Sequence, residues 1–286
     1  KACSWKMFTM EKVSMNEFSL EKKVALITGA NGLIGREISD ALASFSAGLI
    51  LLDNTESADI DNYAKNLSEK YSVKVKVFHI SITDIDKIKH VINEAVIYFG
   101  KIDILVNLAA IDAKFDENIK NVPKTAFEDF PIELWSKSIE VNMTGTFLIT
   151  QQVVKQMLKQ KNGNIINVAS TYSLVSPNQN LYKFNEESEQ LFKPIDYVAT
   201  KSMIPNFTRY LATFYGKKGI RVNTIVPHGV LNNTNSEFID NFSKLSPLGR
   251  MCNREELRGP FVFLASDASS YMTGSTLVVD GGWTAW

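Results

Sequence analysis

The chain has 286 residues, of which 45% are hydrophobic and 22% charged. Lys plus Arg and Asp plus Glu balance at 31 each, so no surplus of positive charge points to nucleic acid or an anionic membrane as partner. Only Cys3 and Cys252 occur, in no CxxC pattern, and a reduced, cytoplasmic protein is expected.

No apolar run approaches the roughly 20 residues that span a bilayer. Residues 1–20 mix Lys1, Lys6, Glu11, Lys12 and Glu17 among apolar positions, and are expected to form a flexible leader, a processed end or an expression remnant. From residue 22 short apolar runs alternate with longer amphipathic stretches. Strands are expected at 24–28, 49–53, 73–79, 102–107, 164–169, 221–226 and 276–280, continuous in apolar character as strands covered on both faces should be. Helices are expected at 33–45, 56–70, 84–99, 132–161, 197–217 and 254–266. This alternation predicts one α/β domain over 21–286, a Rossmann-like, doubly wound parallel sheet of about seven strands with helices on both faces. Two stretches break the pattern. Residues 173–194 are long, polar and aromatic, with Tyr182, Phe184 and Phe192, and residues 230–248 are rich in Asn and Ser. Both are expected to be long loops that follow strands on the edge where open α/β sheets bind ligands, so both are candidate substrate walls or lids.

Thr28-Gly29-Ala30-Asn31-Gly32-Leu33-Ile34-Gly35 follows the first strand and opens the first helix. Glycines allow a tight turn and close backbone approach, and the helix N-terminus offers unpaired N–H groups to a pyrophosphate. Such a triplet can also be a plain strand-to-helix turn. Its context strengthens it, because the second strand ends at Asp53, where a carboxylate can accept bonds from adenosine ribose hydroxyls. The plainer reading of Asp53 is a cap on the following turn. A ribose 2′-phosphate would be repelled by Asp53, and neither Asn31 nor Asn54 offers a cation, so NAD is the expected cofactor.

Further on, Tyr197-Val198-Ala199-Thr200-Lys201 places a phenol and an ammonium four residues apart, on one helix face. A nearby positive charge favours phenolate and pulls a tyrosine down from its reference pKa of about 10, making it a usable acid/base. Tyr182 has no such partner, since Glu186 stands four residues on.

From residue 20 to the C-terminus the chain resembles the short-chain dehydrogenase/reductase family. The resemblance rests on the glycine stretch, Asn107-Leu108-Ala109-Ala110, Val141-Asn142-Met143-Thr144-Gly145, Ser170, Tyr197-x-x-x-Lys201, Pro227 and the closing Thr273-Gly274 and Val279-Asp280-Gly281-Gly282. It implies that Asn142 anchors a proton relay, Ser170 bonds the substrate oxygen, Tyr197 is the acid/base, and Lys201 lowers its pKa and holds the nicotinamide ribose. It also implies cofactor contacts from Gly29, Asn31, Gly32, Ile34, Gly35 and Asp53. Further contacts come from Ser81, Ile82, Asn107, Ala109, Pro227 and Val230. An aromatic tail such as Trp283 and Trp286 implies a subunit interface, hence a homodimer or homotetramer.

There are departures. The Gly29-x-x-Gly32-x-x-Gly35 spacing is more typical of the longer, sugar-nucleotide-modifying branch. Leu108 and Ala110 replace Asn and Gly, Ser81 stands where aspartate commonly meets adenine, and His228 replaces glycine. Ser170 and Tyr197 are set unusually far apart by the 173–194 insertion.

Together these features predict an NAD-dependent oxidoreductase that interconverts a secondary alcohol and a carbonyl. The C-terminal stretch from Gly249 and the insertion resemble oxidoreductases associated with bacterial flagellin and surface-sugar modification. With the polar run 231–236, this makes a sugar or activated sugar the expected substrate. The alternatives are a nucleotide-sugar epimerase or dehydratase with tightly bound NAD, and a non-catalytic NAD-binding sensor. The stretch after Lys201 carries reductase-like signatures rather than an appended substrate domain, which speaks against the epimerase. His228 is open between a substrate contact and a packed turn histidine, while His79 and His90 read as structural. No metal motif is present, and Asp59-x-Asp61 lacks the glycine and the glutamate of a calcium loop.

Overall fold

The computed structural model describes residues 15–112, 126–183 and 190–286. Phe184 and residues 1–14 of the expected leader, with Cys3, lie outside the described residues. Seven parallel strands form one sheet in the order β3-β2-β1-β4-β5-β6-β7. They are β1 (Val24–Thr28), β2 (Gly48–Asp53), β3 (Val75–His79), β4 (Ile104–Asn107), β5 (Gly163–Val168), β6 (Ile220–Pro227) and β7 (Thr276–Val279). The helices are α1 (Leu33–Ser44), α2 (Ala58–Tyr71), α3 (Ile85–Phe99), α4 (Ile132–Ser138), α5 (Thr146–Gln160), α6 (Ile195–Tyr215), α7 (Ser236–Leu245) and α8 (Arg258–Ala265).

Strand periodicity divides the core between the two faces of the sheet. Ala25, Ile27, Leu49, Leu51 and Ile166 pack on α1 and α8 through Ile38, Leu42 and Phe261. Leu26, Ile50, Leu105, Ile165 and Val222 pack on α3, α5 and α6 through Ile92, Val153 and Leu211. The expected boundary at residue 20 falls inside this packing. Leu20 is wholly buried, Phe18 packs on the same core, and the Leu20 N–H donates to the Phe45 carbonyl at 2.9 Å.

Two other expectations need correction. Residues 132–161 are not a single α-helix, because Ile139–Gly145 between α4 and α5 are π-helical. Residues 230–248 are not all loop, because they contain α7. Its Asn235 cap accepts from the Glu237 and Phe238 N–H groups, and Phe242 is buried beneath it. The Asn- and Ser-rich approach masks the apolar face made by Phe238, Ile239 and Phe242.

The strand order reverses between β1 and β4, which opens a crevice beyond the strands' C-terminal ends. Thr28, Asp53, Asn107, Val168 and Pro227 end five strands at that edge.

Candidate active site

The turn after β1 is a backbone cradle. Gly29 sits at φ +68°, and a Cβ there would lie 2.9 Å from the Ala109 Cα. A Cβ on Gly35 would lie 2.2 Å from the Gly29 carbonyl oxygen, so the helix can close on the turn only without side chains. Thr28 Oγ1 accepts from the Leu108 and Ala109 N–H groups, both at 3.1 Å, which locks the β4 end against the turn. α1 begins at Gly32 with no side-chain cap, so its first N–H groups, including that of Ile34, are available to an anion. Asp53 is buried at the rim. Its Oδ2 accepts from the Asn31 N–H at 2.9 Å and its Oδ1 from the Thr55 N–H at 3.0 Å, and each oxygen keeps a lone pair for a ribose hydroxyl. These features fit a dinucleotide.

A cation does stand near this rim, which a reading of Asn31 and Asn54 missed. The Arg36 guanidinium donates to Asn31 Oδ1 at 2.6 Å and pairs with Asp59. Arg36 lies one helical turn beyond Gly32, a spacing that could have signalled it. Ser81 engages Thr83 at 2.8 Å in a local turn, and Ile82 is buried beside Gly145. The side chain of Asn107 is not turned to the cradle. Its Nδ2 donates to Thr150 and Asn167 inside the sheet, both at 2.8 Å, while its Oδ1 is buried without a partner.

Ser170, Tyr197, Lys201, Pro227 and Val230 line one cavity of about 370 Å³, with Ile34 at its cofactor side. Ser170 follows β5 in extended conformation, its Oγ accepts from the Tyr172 N–H at 3.3 Å, and its hydroxyl faces the Tyr197 phenol across the cavity. Lys201, one turn along α6, is buried and donates to the Val168 carbonyl at 2.8 Å. Asn142 lies in the π-helical segment. Its amide bonds both backbone groups of Ile111 and donates to Thr200 Oγ1 at 3.0 Å.

The expectation that Lys201 holds Tyr197 low is not met in the protein alone. Enclosure pushes the phenol well above its ordinary value, Asp112 adds to this, and the Ser170 hydroxyl opposes it. Burial also draws Lys201 itself down to about 8. Desolvation outweighs the spacing of two residues on a helix face.

His228 is packed rather than solvated. Its Nδ1 shares a short hydrogen bond with Thr171 Oγ1, its Nε2 is buried without a partner, and its ring lies 4.5 Å from that of Trp283. Burial lowers its pKa to about 4, so the imidazole is neutral at pH 7. Trp283 therefore packs behind the lining residues His228 and Phe242, stacked on Phe242 at 4.7 Å, while Trp286 remains exposed. Tyr182 also joins the wall, its hydroxyl 2.7 Å from that of Tyr172, whose pKa burial raises to about 12. His79 bonds the Thr55 carbonyl at 3.0 Å on the surface. Among the described residues no group of His, Cys, Asp and Glu could hold a metal ion.

Two residues in this cavity have no counterpart in the motifs. Lys193 pairs with Asp112 at 2.5 Å, and both line the space beside Tyr197. Lys193 stands four residues before Tyr197, but α6 begins only after its Pro194 N-cap, so helical spacing gave no signal.

A dinucleotide cradle facing a Ser–Tyr–Lys cluster at the reversal point of a parallel sheet defines a nicotinamide-dependent oxidoreductase class. The chain belongs to the short-chain dehydrogenase/reductase family. A family profile described as enoyl-(acyl carrier protein) reductase matches residues 29–284. The chain is similar to the 2-dehydro-3-deoxy-D-gluconate 5-dehydrogenase of Pseudoalteromonas atlantica, 33% identical, over 94% of this chain and 98% of that protein. It is also similar to the NAD-dependent glycerol dehydrogenase of Listeria innocua, 31% identical, over 94% and 96%. In three dimensions it resembles a gluconate 5-dehydrogenase from Burkholderia cenocepacia solved with NADP and tartrate, with TM-score 0.79, 27% identity, and coverage of 95% and 98%.

Proposed function

We propose that the protein is an NAD(H)-dependent oxidoreductase that interconverts a secondary alcohol and a carbonyl on a sugar or activated sugar. The observation that carries this reading is the convergence of Ser170, Tyr197 and Lys201 on one cavity beside the glycine cradle. Nicotinamide, when bound, supplies the hydride chemistry. The Ser170 hydroxyl and Tyr197 phenol share the substrate oxygen, Tyr197 takes the hydroxyl proton on oxidation, and it returns that proton on reduction. Lys201 holds the ribose and supplies positive charge, and Asn142 keeps the relay's backbone in place.

Asp53 at the ribose position supports NAD over NADP. Arg36 pulls the other way, but it is already committed to Asn31 and Asp59. Similarity to sugar-acid and polyol dehydrogenases supports a hydroxyl-rich substrate, as do Asn232 and Thr234 in the cavity wall. A role in bacterial surface-sugar modification is the narrower reading, resting on the C-terminal stretch and the 173–194 insertion. The site is read in a cytoplasmic homodimer or homotetramer. The exposed Phe147 of α5 and Tyr210 and Phe214 of α6 form the apolar surface such an assembly would cover.

The test follows NADH absorbance with NAD+ across glycerol, D-gluconate, simple secondary alcohols, free sugars and nucleotide-activated sugars. Tyr197→Phe is expected to reduce turnover by about 10²-fold or more, with NADH affinity retained. Turnover that survives this substitution overturns the mechanism. Conversion of a sugar without net NADH favours the epimerase alternative.

A further inference from the structure

The described residues of the 173–194 insertion, 173–183 and 190–194, surround one buried lysine. Gln179 brackets the Lys193 backbone, its Oε1 accepting from the Lys193 N–H at 2.8 Å and its Nε2 donating to the Lys193 carbonyl at 3.4 Å. Leu181, Tyr182 and Leu191 anchor the segment against Phe242 and Met251. The Lys193 side chain, only 6% exposed, reaches Asp112 Oδ1 at 2.5 Å. Its Nζ lies 4.2 Å from the Tyr197 ring centroid, whereas Lys201 Nζ lies at 5.8 Å and is engaged by the Val168 carbonyl. The insertion thus brings a second ammonium closer to the Tyr197 ring than the motif lysine.

Several groups face Tyr197 among the described residues. Lys201 stands along α6, Tyr172 beside Ser170, Tyr182 and Lys193 on the insertion, Asp112 after β4, and His228 across the cavity. Asp196 turns away to Ser138. Asp112 is the one carboxylate in this set, and a negative charge within a few ångströms opposes phenolate formation. An ammonium held against it opposes that effect.

We propose that Lys193, clamped by Asp112, is a positioning residue for proton transfer: it screens the Asp112 carboxylate from Tyr197 and limits how far that carboxylate opposes phenolate formation. This rests on the reading of Tyr197 as acid/base, and the test separates the two.

Protein labelled with [ζ-13C]tyrosine is titrated without cofactor, the Tyr197 resonance being assigned by its loss in Tyr197→Phe. Asp112→Asn is expected to move the Tyr197 titration to lower pH by about one unit or more, and Lys193→Met to move it to higher pH by a similar amount. The double variant Asp112→Asn/Lys193→Met is expected between them, near wild type. In parallel, the pH dependence of kcat/KM is measured for NAD+-dependent oxidation of glycerol, where the acid limb is expected to shift in the same directions. Coincident titrations of wild type and Asp112→Asn overturn the proposal. So does a Lys193→Met variant that only raises KM, which makes the lysine a substrate anchor instead. If glycerol is not turned over, the resonance titration alone decides. Failure of every substrate in the panel counts against the proposed function, not against the screening role.

Discussion

The side-chain amide of Asn142 closes a two-bond ring on the backbone of Ile111, accepting from its N–H at 2.7 Å and donating to its carbonyl at 3.0 Å. The same amide nitrogen reaches Thr200 on α6, whose hydroxyl donates to the Tyr197 carbonyl at 3.2 Å. One buried side chain therefore ties the segment bearing Asp112 to the helix bearing Tyr197. The π-helical segment sets its direction, since a widened turn re-aims a side chain that an unbroken α-helix would carry elsewhere.

Replacing Asn142 by Ala removes both bonds to the half-exposed Ile111 backbone and the bond to Thr200. Water can take up the freed Ile111 groups, so urea unfolding should show a loss of about 1 kcal/mol, the net worth of a hydrogen bond. Turnover should fall by about tenfold or more, because misplacing a reacting group by an ångström is enough for that. A variant with wild-type stability and turnover would show that the ring around Ile111 is incidental.

Asp53 should decide the cofactor. Its carboxylate orders the turn through Asn31 and Thr55 and faces the ribose position. Asp53→Ala should weaken NADH binding by about tenfold, the scale of one charge-assisted hydrogen bond, and strengthen NADPH relative to NADH. Fluorescence titration with both cofactors measures this. Unchanged discrimination would shift the role to Arg36.

Gly35 should not accept a methyl group. An alanine Cβ there meets the Gly29 carbonyl oxygen at 2.2 Å, and neither backbone segment has room to yield. Gly35→Ala should cost about 1–3 kcal/mol of stability through overpacking, read as a lowered Tm that saturating NADH does not restore to wild type. A Tm within error of wild type would mean that the turn relaxes freely.

His228 should make stability depend on pH. Its folded pKa of about 4 lies below the usual value near 6.5, so the unfolded chain binds a proton more readily between those limits. The stability conferred by the neutral imidazole is complete above about pH 6.5 and declines as pH falls toward about 4, by roughly 3 kcal/mol in all. His228→Gln removes the titration, and urea unfolding at several pH values should show a flatter profile across that window. A profile that remains as steep would assign the acid sensitivity to other groups.

Strand positions, the glycine turn and the Tyr197–Lys201 face were legible in the chain because each depends on local spacing. Strands buried on both faces are apolar throughout, the turn needs glycines at fixed intervals, and four residues make one helical turn. α7 was obscured because polar residues surround its short apolar face, and no local signal marked the π-helical break between α4 and α5. The pKa of Tyr197 was misjudged for a related reason: a neighbouring lysine is visible in sequence, but the enclosure that desolvates the phenol is not.

By itself, the sequence determined the doubly wound α/β fold, the glycine turn and the shared face of Tyr197 and Lys201, all set by backbone periodicity and short-range chemistry, while Ser170 joined them through the family resemblance. Only the tertiary structure decided what surrounds them. Asp112 and Lys193 come from segments 81 positions apart, and Arg258 meets Glu37 across 221. Such pairs form because the sheet brings its strand ends to one edge, and burial then sets the strength of every charge placed there.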